Sequence, residues 1–263
     1  MGILNVTPDS FSDGGLYTEA DTAVAHALAM VKQGATVIDV GAESTRPGSE
    51  PVSAERQIQR AVPVIQRIVE EASVAVSMDT CDPKVAKAAI GAGASVINDI
   101  TALGSDGMAE CVAESGVPIV LMHMQGSPGT MQIAPEYQDV VAEVLAFLLH
   151  RAHQAEQVGV ARSDIWIDPG IGFGKTLAHN LALLRHIDRF VETGYPVLVG
   201  ASRKRMLADL TGRADPKDRI YGTNATVAHC VSKGVSCVRV HDVAPAIDTI
   251  KIIEAINQQP ITV

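Results

Sequence analysis

Apolar and polar positions along this chain follow two alternating rhythms. Short runs rich in β-branched residues recur between longer stretches whose apolar residues return every three or four positions, and the alternation persists to the end of the chain. The short runs are GILNV (2–6), VIDVG (37–41), VAVSMD (74–79), VINDI (96–100), PIVLMH (118–123), IWIDPG (165–170), PVLVGAS (196–202) and CVRVHD (237–242), eight in all. Helical periodicity marks 21–33, 53–72, 82–93, 136–157, 179–193 and, after the last run, 243–258. Several of these stretches end at glycine, a common close for helices that lead into parallel strands. Strands that are apolar through most of their length suit a parallel sheet covered by helices. Eight such units in 263 residues predict a (β/α)8 TIM barrel, with a doubly wound open sheet as the alternative. No linker rich in Pro, Ser or Gly divides the chain, so residues 1–263 read as a single domain.

Polar residues interrupt the apolar runs at one end only. Asn5, Asp39, Asp79, Asn98 with Asp99, His123, Asp168, and Arg239 with His241 and Asp242 close or adjoin the runs. In a parallel barrel these positions form the carboxyl-terminal rim, where active sites of this architecture lie. Each could instead cap the helix that follows, since Asp and Asn are good N-caps. Their recurrence at strand after strand favours a shared pocket. Three long segments surround that rim: NVTPDSFSDGG (5–15), which reads as a mobile polar loop, GAESTRPGSEPVS (41–53), with a lone Arg46 between Thr45 and Pro47, and DPGIGFGKT (168–176).

Familiar chemical signatures fail on their spacing. Gly174-Lys175-Thr176 resembles the end of a phosphate-binding P-loop, but the glycine needed five residues before the Gly-Lys pair is Pro169, and Lys175 stands where G-x-G-x-x-G requires its third glycine. The first strand lacks the H-x-H pair of a barrel metallohydrolase, and the rim histidines are too few for a three-His zinc site. No lysine lies inside a strand to form a Schiff base.

Charge adds a sharper clue. With 21 Lys plus Arg against 30 Asp plus Glu the net charge is −9, and the pI near 5.3 argues against nucleic-acid or anionic-membrane partners. Against that background, Ser202-Arg203-Lys204-Arg205 begins a helix at the end of the seventh strand, within reach of Arg46, Arg239 and His241. Cations are disfavoured at a helix N-terminus, so this cluster predicts an anionic ligand. No apolar run approaches the ~18 residues of a membrane helix and no signal peptide is visible, which predicts a cytoplasmic protein. Cys81, Cys111, Cys230 and Cys237 form no C-x-x-C pair and read as reduced thiols.

Eight segments in order, MGILNVTPDSFSDGG (1–15), GAESTRPG (41–48), SMDT (77–80), INDI (97–100), LMHMQG (121–126), DPGIGFGK (168–175), GASRKR (200–205) and RVHD (239–242), resemble the dihydropteroate synthases, folate-pathway enzymes targeted by sulfonamide drugs. The likeness covers almost the whole chain. It implies condensation of p-aminobenzoate with 6-hydroxymethyl-7,8-dihydropterin diphosphate to give 7,8-dihydropteroate and pyrophosphate, with Mg²⁺, in a homodimer. Carried over residue by residue, it implies that Asp168 accepts the paired donors of the pterin edge, with Asp79 and Asn98 completing recognition. Ile100, Met122, Phe173 and Gly200 would close on the ring beside Lys204. Arg239, His241, Asn5 and Arg46 would meet the diphosphate, Asn5 with Asp9 or Asp13 would hold Mg²⁺, and Phe11, Thr45, Pro47, Ser202 and Lys204 would surround the aminobenzoate.

Departure of the diphosphate ahead of amine attack would need stabilised leaving-group charge rather than a strong base, which fits a rim without a Ser-His-Asp or Cys-His arrangement. The family's segment before the first strand, often a β-hairpin, is apparently absent here, an expectation that bears on stability rather than chemistry. Two other readings compete: a methyltetrahydrofolate-dependent corrinoid methyltransferase, which needs no diphosphate cluster, and a non-catalytic pterin-binding barrel.

Overall fold

Six strands, β1 (Gly2–Asn5), β2 (Val37–Gly41), β3 (Ala75–Asp79), β4 (Val96–Asp99), β5 (Ile119–Met122) and β6 (Ile165–Asp168), run parallel and pair in chain order. β7 (Leu198–Val199) pairs with β8 (Cys237–Val238), also in parallel. The computed structural model describes residues 1–6, 16–43 and 51–258. Two bridges join the six strands and the pair into a ring, one between Ile167 and Val197 and one between Gly2 and Val240. At the first seam the Ile167 amide donates to the Pro196 carbonyl at 2.9 Å. At the second, Ile3 donates to Val240 at 3.0 Å and Val240 to Met1 at 2.9 Å. The ring is a closed (β/α)8 barrel, not the open-sheet alternative. β7 and β8 are shorter than the runs that predict them, although the Arg239 amide still donates to the Val199 carbonyl at 3.0 Å and Val240 bridges to Gly2.

Around the barrel lie α1 (Leu16–Lys32), α2 (Ala54–Glu71), α3 (Pro83–Gly91), α4 (Met108–Ser115), α5 (Val140–Gln157), α6 (Leu177–Arg185), α7 (Asp188–Val191), α8 (Arg205–Thr211), α9 (Ile220–Ser232) and α10 (Val243–Gln258). Local chemistry sets their starts. The Ser53 hydroxyl accepts from the Arg56 amide to open α2, Asp82 caps α3 ahead of Pro83, and Asp139 accepts from the amides of Val141 and Ala142 to open α5. α2 then buries Ala61, Val64, Ile65 and Ile68, one helical stripe. Residues 179–193, one stretch by periodicity, form parts of two helices broken near Ile187. α4 and α9 match none of the six periodic stretches. α4 is only 8 residues between Gly107 and Gly116, and α9 faces the core with the mixed set Thr223, Val227 and Cys230, a stripe too polar to stand out.

Strand alternation separates core from site. Ile38, Val40, Val76, Met78, Ile97, Leu121 and Ile167 are buried apolar residues, and the intervening positions hold Asp39, Ser77, Asp79, Asn98 and Asp168. Successive strand residues point to opposite faces, so the polar set shares the barrel interior. Register brings Asn5 opposite Gly41, Gly41 opposite Asp79 and Asp79 opposite Asn98, one level near the carboxyl ends. Among the described residues no helix is long and apolar enough to cross a membrane.

Closure at only a few hydrogen bonds makes a direct prediction for hydrogen exchange. The amides of Ile3, Val240 and Ile167 should be protected to the same degree as that of Ile97 inside the six-stranded arc. Fast exchange at Ile3 and Val240 alone would mean that the ring opens between β8 and β1.

Candidate active site

A guanidinium sits inside the barrel between two carboxylates. Arg239, one residue past β8, donates from Nε to Asp39 Oδ2 at 2.6 Å and from Nη2 to Asp79 Oδ2 at 2.8 Å. β8 is not a neighbour of β2 or β3, so these bonds run through the interior. Asn98 Nδ2 donates to the same Asp39 oxygen at 3.2 Å, while Asp39 Oδ1 is buried without a partner. Burial pushes the Asp79 carboxyl up to about 7; Arg239 opposes this, and the nearby carboxylates Asp39, Asp99 and Glu43 reinforce it. Burial works against the Arg239 charge, yet Asp39 and Asp79 more than restore it, leaving the guanidinium firmly protonated. Among the described residues its Nη1 atom has no hydrogen-bond partner, so one edge of the fork remains available.

Asp168 occupies the end of β6, in register with Met122 of β5. Its Oδ1 accepts from the Gly170 amide at 2.7 Å. Burial raises its pKa, against the pull of Lys204, that amide, Arg239 and Lys175. Burial thus opposes the ionised form of Asp168, and the Lys204 charge is the largest influence favouring it. Lys204 itself donates to the Ile171 carbonyl and lies 4.4 Å from the centroid of the Phe173 ring, with burial pulling its pKa down to about 8.

The loop after β6 is a fixed platform. Four consecutive carbonyls each accept from a side chain: Ile171 from Lys204, Gly172 from Gln132 at 2.7 Å, Phe173 from Lys175 at 2.8 Å, and Gly174 from Tyr137 at 2.8 Å. Buried Asn180 of α6 accepts from the Gly172 amide at 2.7 Å and donates to the Thr176 carbonyl at 2.8 Å. Satisfying this many main-chain groups fixes the backbone that carries the half-buried Phe173 ring, over which Lys204 lies.

The cationic run proves less uniform than expected. Only Lys204 turns to the rim. Arg203 pairs with Asp242 through Nε at 2.9 Å and Nη2 at 2.5 Å, and Arg205 is exposed beside Asp209. Arg203 also adopts φ +58°, a left-handed conformation, held by its amide donating to Thr223 Oγ1 at 3.1 Å and by Arg219 donating to its carbonyl at 2.7 Å. The pairing with Asp242 removes the need for an anionic ligand at Arg203, and the strained turn aims its neighbour Lys204 inward.

The remaining residues sort readily. Ser202 Oγ lies 3.0 Å from His241 Nδ1 and accepts from the His241 amide. Gly200 lies against the Arg239 stem, and Ile100 and Met122 are buried apolar residues at the ends of β4 and β5. Asp99, also at the rim by sequence, instead accepts from the amides of Thr101 and Leu103 in the turn after β4, and does not cap α4, whose N-cap is Gly107. Asn5 stands at the end of β1 without a side-chain hydrogen bond to the described residues. Asp9, Phe11, Asp13, Thr45, Arg46 and Pro47 lie outside the described residues. At the base of the second loop, Glu43 accepts from the Val52 amide at 2.9 Å and from Gln57 at 3.1 Å. Asp39, on the rim by sequence but without a role there, is the hub of the network.

A parallel barrel with buried carboxylates, an amide and cations at one mouth has the architecture of the pterin-binding enzymes. The model of that family, described as pterin binding enzyme, matches residues 1–241. Dihydropteroate synthase of Escherichia coli K12 is 46% identical over 255 residues, which cover 97% of this chain and 90% of that protein. Among solved structures, Xanthomonas albilineans dihydropteroate synthase with 4-aminobenzoic acid superposes with a TM-score of 0.94 at 46% identity, covering 99% of this chain and 93% of that one. The same enzyme in complex with 7,8-dihydropteroate gives 0.90 at 44%, with 99% and 94% covered. The chain belongs to the dihydropteroate synthase family.

The raised Asp79 carboxyl makes a signed prediction. Between its ordinary value of 3.8 and about 7 the folded chain keeps a proton that the unfolded chain has released, so this group costs stability as pH rises through that window and no further above it. Asp79→Asn should abolish the slope, at most about 1.4 kcal/mol per pH unit. Urea titrations at pH 4.5 and 7 check it: a difference between parent and variant that does not change with pH would rule out the raised value.

Proposed function

We propose that this chain condenses 6-hydroxymethyl-7,8-dihydropterin diphosphate with p-aminobenzoate, as a transferase of folate biosynthesis, giving 7,8-dihydropteroate and pyrophosphate. The observation that carries the reading is the juxtaposition, in one barrel mouth, of the buried Asp168 carboxylate with two cations, Lys204 and Arg239, that act on it electrostatically. A pterin offers adjacent donors, its ring N–H and 2-amino group, and one carboxylate can accept both. Those donors would favour the ionised form of Asp168 that burial opposes. Asn98 and Asp79 would take the remaining polar edge, with Ile100, Met122, Phe173 and Gly200 around the ring.

In the reaction the bond from the exocyclic methylene carbon to the diphosphate oxygen breaks, and its electron pair leaves with the oxygen. The resulting positive charge spreads over the electron-rich dihydropterin. The aminobenzoate nitrogen then forms the new C–N bond and loses a proton to solvent. Charge grows on the departing oxygen, so groups that meet it there lower the barrier. Arg239 suits this task, because Asp39 and Asp79 fix Nε and Nη2 of its guanidinium, and among the described residues Nη1 has no partner. His241, oriented through Ser202, and Arg46 would assist. Ser202 and Lys204, with Phe11, Thr45 and Pro47, would surround the aminobenzoate.

Mg²⁺ fits the chemistry of the donors present. Asn5 offers an amide oxygen and Asp79 a carboxylate oxygen, both within 4 Å of where a Gly41 Cβ would stand. Asn5 with Asp9 or Asp13 is protein ligation enough for a cation that keeps several waters. When bound it would neutralise charge on diphosphate oxygens. The cysteines Cys81, Cys111, Cys230 and Cys237 are free thiols, which suits work in the cytoplasm. Exposed Leu210, Tyr221, Ile252 and Ile256, on α8 to α10, support a homodimer built on that side. The whole of 1–263 acts as a single domain in this reading.

The test is turnover. Given the pterin diphosphate, the purified chain should release pyrophosphate in a Mg²⁺-dependent way and form dihydropteroate once p-aminobenzoate is added; tight pterin binding with no product would favour a non-catalytic barrel. Asp168→Ala should weaken pterin binding by about 3 kcal/mol, read by calorimetry, since buried donors lose their acceptor. Arg239→Ala should lower kcat about hundredfold. A change confined to KM would remove Arg239 from the leaving group.

A further inference from the structure

Lys175 and His123 are buried and titratable, and the reaction above uses neither. Lys175 is 3% exposed and His123 7%. Lys175 Nζ lies 2.9 Å from His123 Nδ1, donates to the Phe173 carbonyl at 2.8 Å and reaches the His123 carbonyl at 3.3 Å. Burial pulls Lys175 down to about 7, against the pull of Asp168; its ammonium form has three donors and no acceptor, and these contacts use it completely when Nδ1 of a neutral His123 accepts. Burial, with the lysine charge, pushes His123 down to about 3, which keeps the ring neutral. The Gly-Lys pair that resembles a phosphate loop therefore has no donor left for a phosphate.

Backbone geometry points to the same place independently. The His123 amide donates to the Asp168 carbonyl at 3.0 Å, which anchors the first residue of the 168–175 loop. Gly170 at φ +67° passes so close to β5 that a Cβ would come within 1.9 Å of the His123 carbonyl, and one on Gly174 at φ +60° within 2.5 Å of the Gln125 carbonyl. Both ends of the loop thus converge on His123, the near end through the main chain and the far end through Lys175. The near end is Asp168 itself, which meets the edge of the pterin in the reading above, and two residues before the far end stands Phe173, which meets its face.

We infer that Lys175, clamped to His123, is a positioning residue for pterin recognition: it fixes the spacing between the Asp168 carboxylate and the Phe173 ring without touching substrate itself. The inference rests on the pterin assignment of that pocket. An ordinary structural lysine would support stability but leave the discrimination between the two substrates untouched.

The experiment compares the parent with Lys175→Met, His123→Leu and His123→Asn by steady-state kinetics in both substrates. Parent turnover comes first, since its absence would overturn the synthase reading rather than this one. Lys175→Met, which keeps the stem but loses all three donors, should raise KM for the pterin diphosphate about tenfold or more with KM for p-aminobenzoate within about twofold. His123→Leu removes one acceptor and should raise the pterin KM about threefold, and His123→Asn, whose amide oxygen replaces Nδ1, should restore it. An unchanged pterin KM in folded Lys175→Met, or equal rises for both substrates, overturns the inference whatever happens to Tm. Should Lys175→Met fail to fold, the histidine pair decides alone: equal effects of Leu and Asn overturn it, and rescue by Asn upholds it.

Discussion

Everything at the mouth of this barrel depends on Arg239 held between Asp39 and Asp79. A guanidinium inside a protein is tolerable only with carboxylates against it, and carboxylates on a buried strand face only with a cation among them. The contact ties three strands, two of them distant from β8 around the ring, so ion pairing and barrel closure support one another. It is also unbalanced, with two carboxylates facing one cation. The excess negative charge helps burial drive Asp79 upward and leaves Asp39 Oδ1 without a partner. Stability alone would favour an apolar interior here.

Opposite this charged cluster stands an immobilised surface. The loop after β6 has its carbonyls taken up one after another by Lys204, Gln132, Lys175 and Tyr137, drawn from different parts of the chain. A platform of that kind loses little further entropy when a flat ring settles on it, so its ordering is done on folding rather than on binding. Arg203 extends the same economy of motion: its strained turn is secured by Asp242, Thr223 and Arg219, and the outcome is the direction of the next side chain. In the proposed reading, a recognition group such as Asp168 is thereby supported by residues that would not themselves meet the ligand.

Much of this was legible in the chain itself. Strand period and polar strand ends were enough to give eight units, a barrel, and a rim that includes Asp79, Asn98, Asp168 and Arg239, because burial on both faces leaves few reasons for a charge in a β-branched run. Partner choice was not legible. Asp99 and Asp39 look alike in sequence, yet one satisfies loop amides and the other holds Arg239, a difference set by which face of its strand each occupies. Arg203, Lys204 and Arg205 are consecutive cations, but only the middle one reaches the rim, since the turn before α8 sends successive side chains in different directions. Lys175 could be rejected as a phosphate ligand by spacing, whereas its clamp on His123 joins positions 52 residues apart and exists only once β5 and β6 are paired. α9 escaped notice because a helix that packs through Thr223 and Cys230 carries little hydrophobic period.

The account stands on Arg239 acting as an oriented charge, not merely a charge. A double-mutant cycle on kcat with Asp39→Asn and Arg239→Lys tests that directly. If Asp39 works by orienting the guanidinium, the two losses should overlap, with a coupling of about 1 kcal/mol or more and a double variant scarcely slower than Arg239→Lys alone. Losses that simply add would show that Asp39 and Arg239 contribute separately, and would contradict the oriented-charge account.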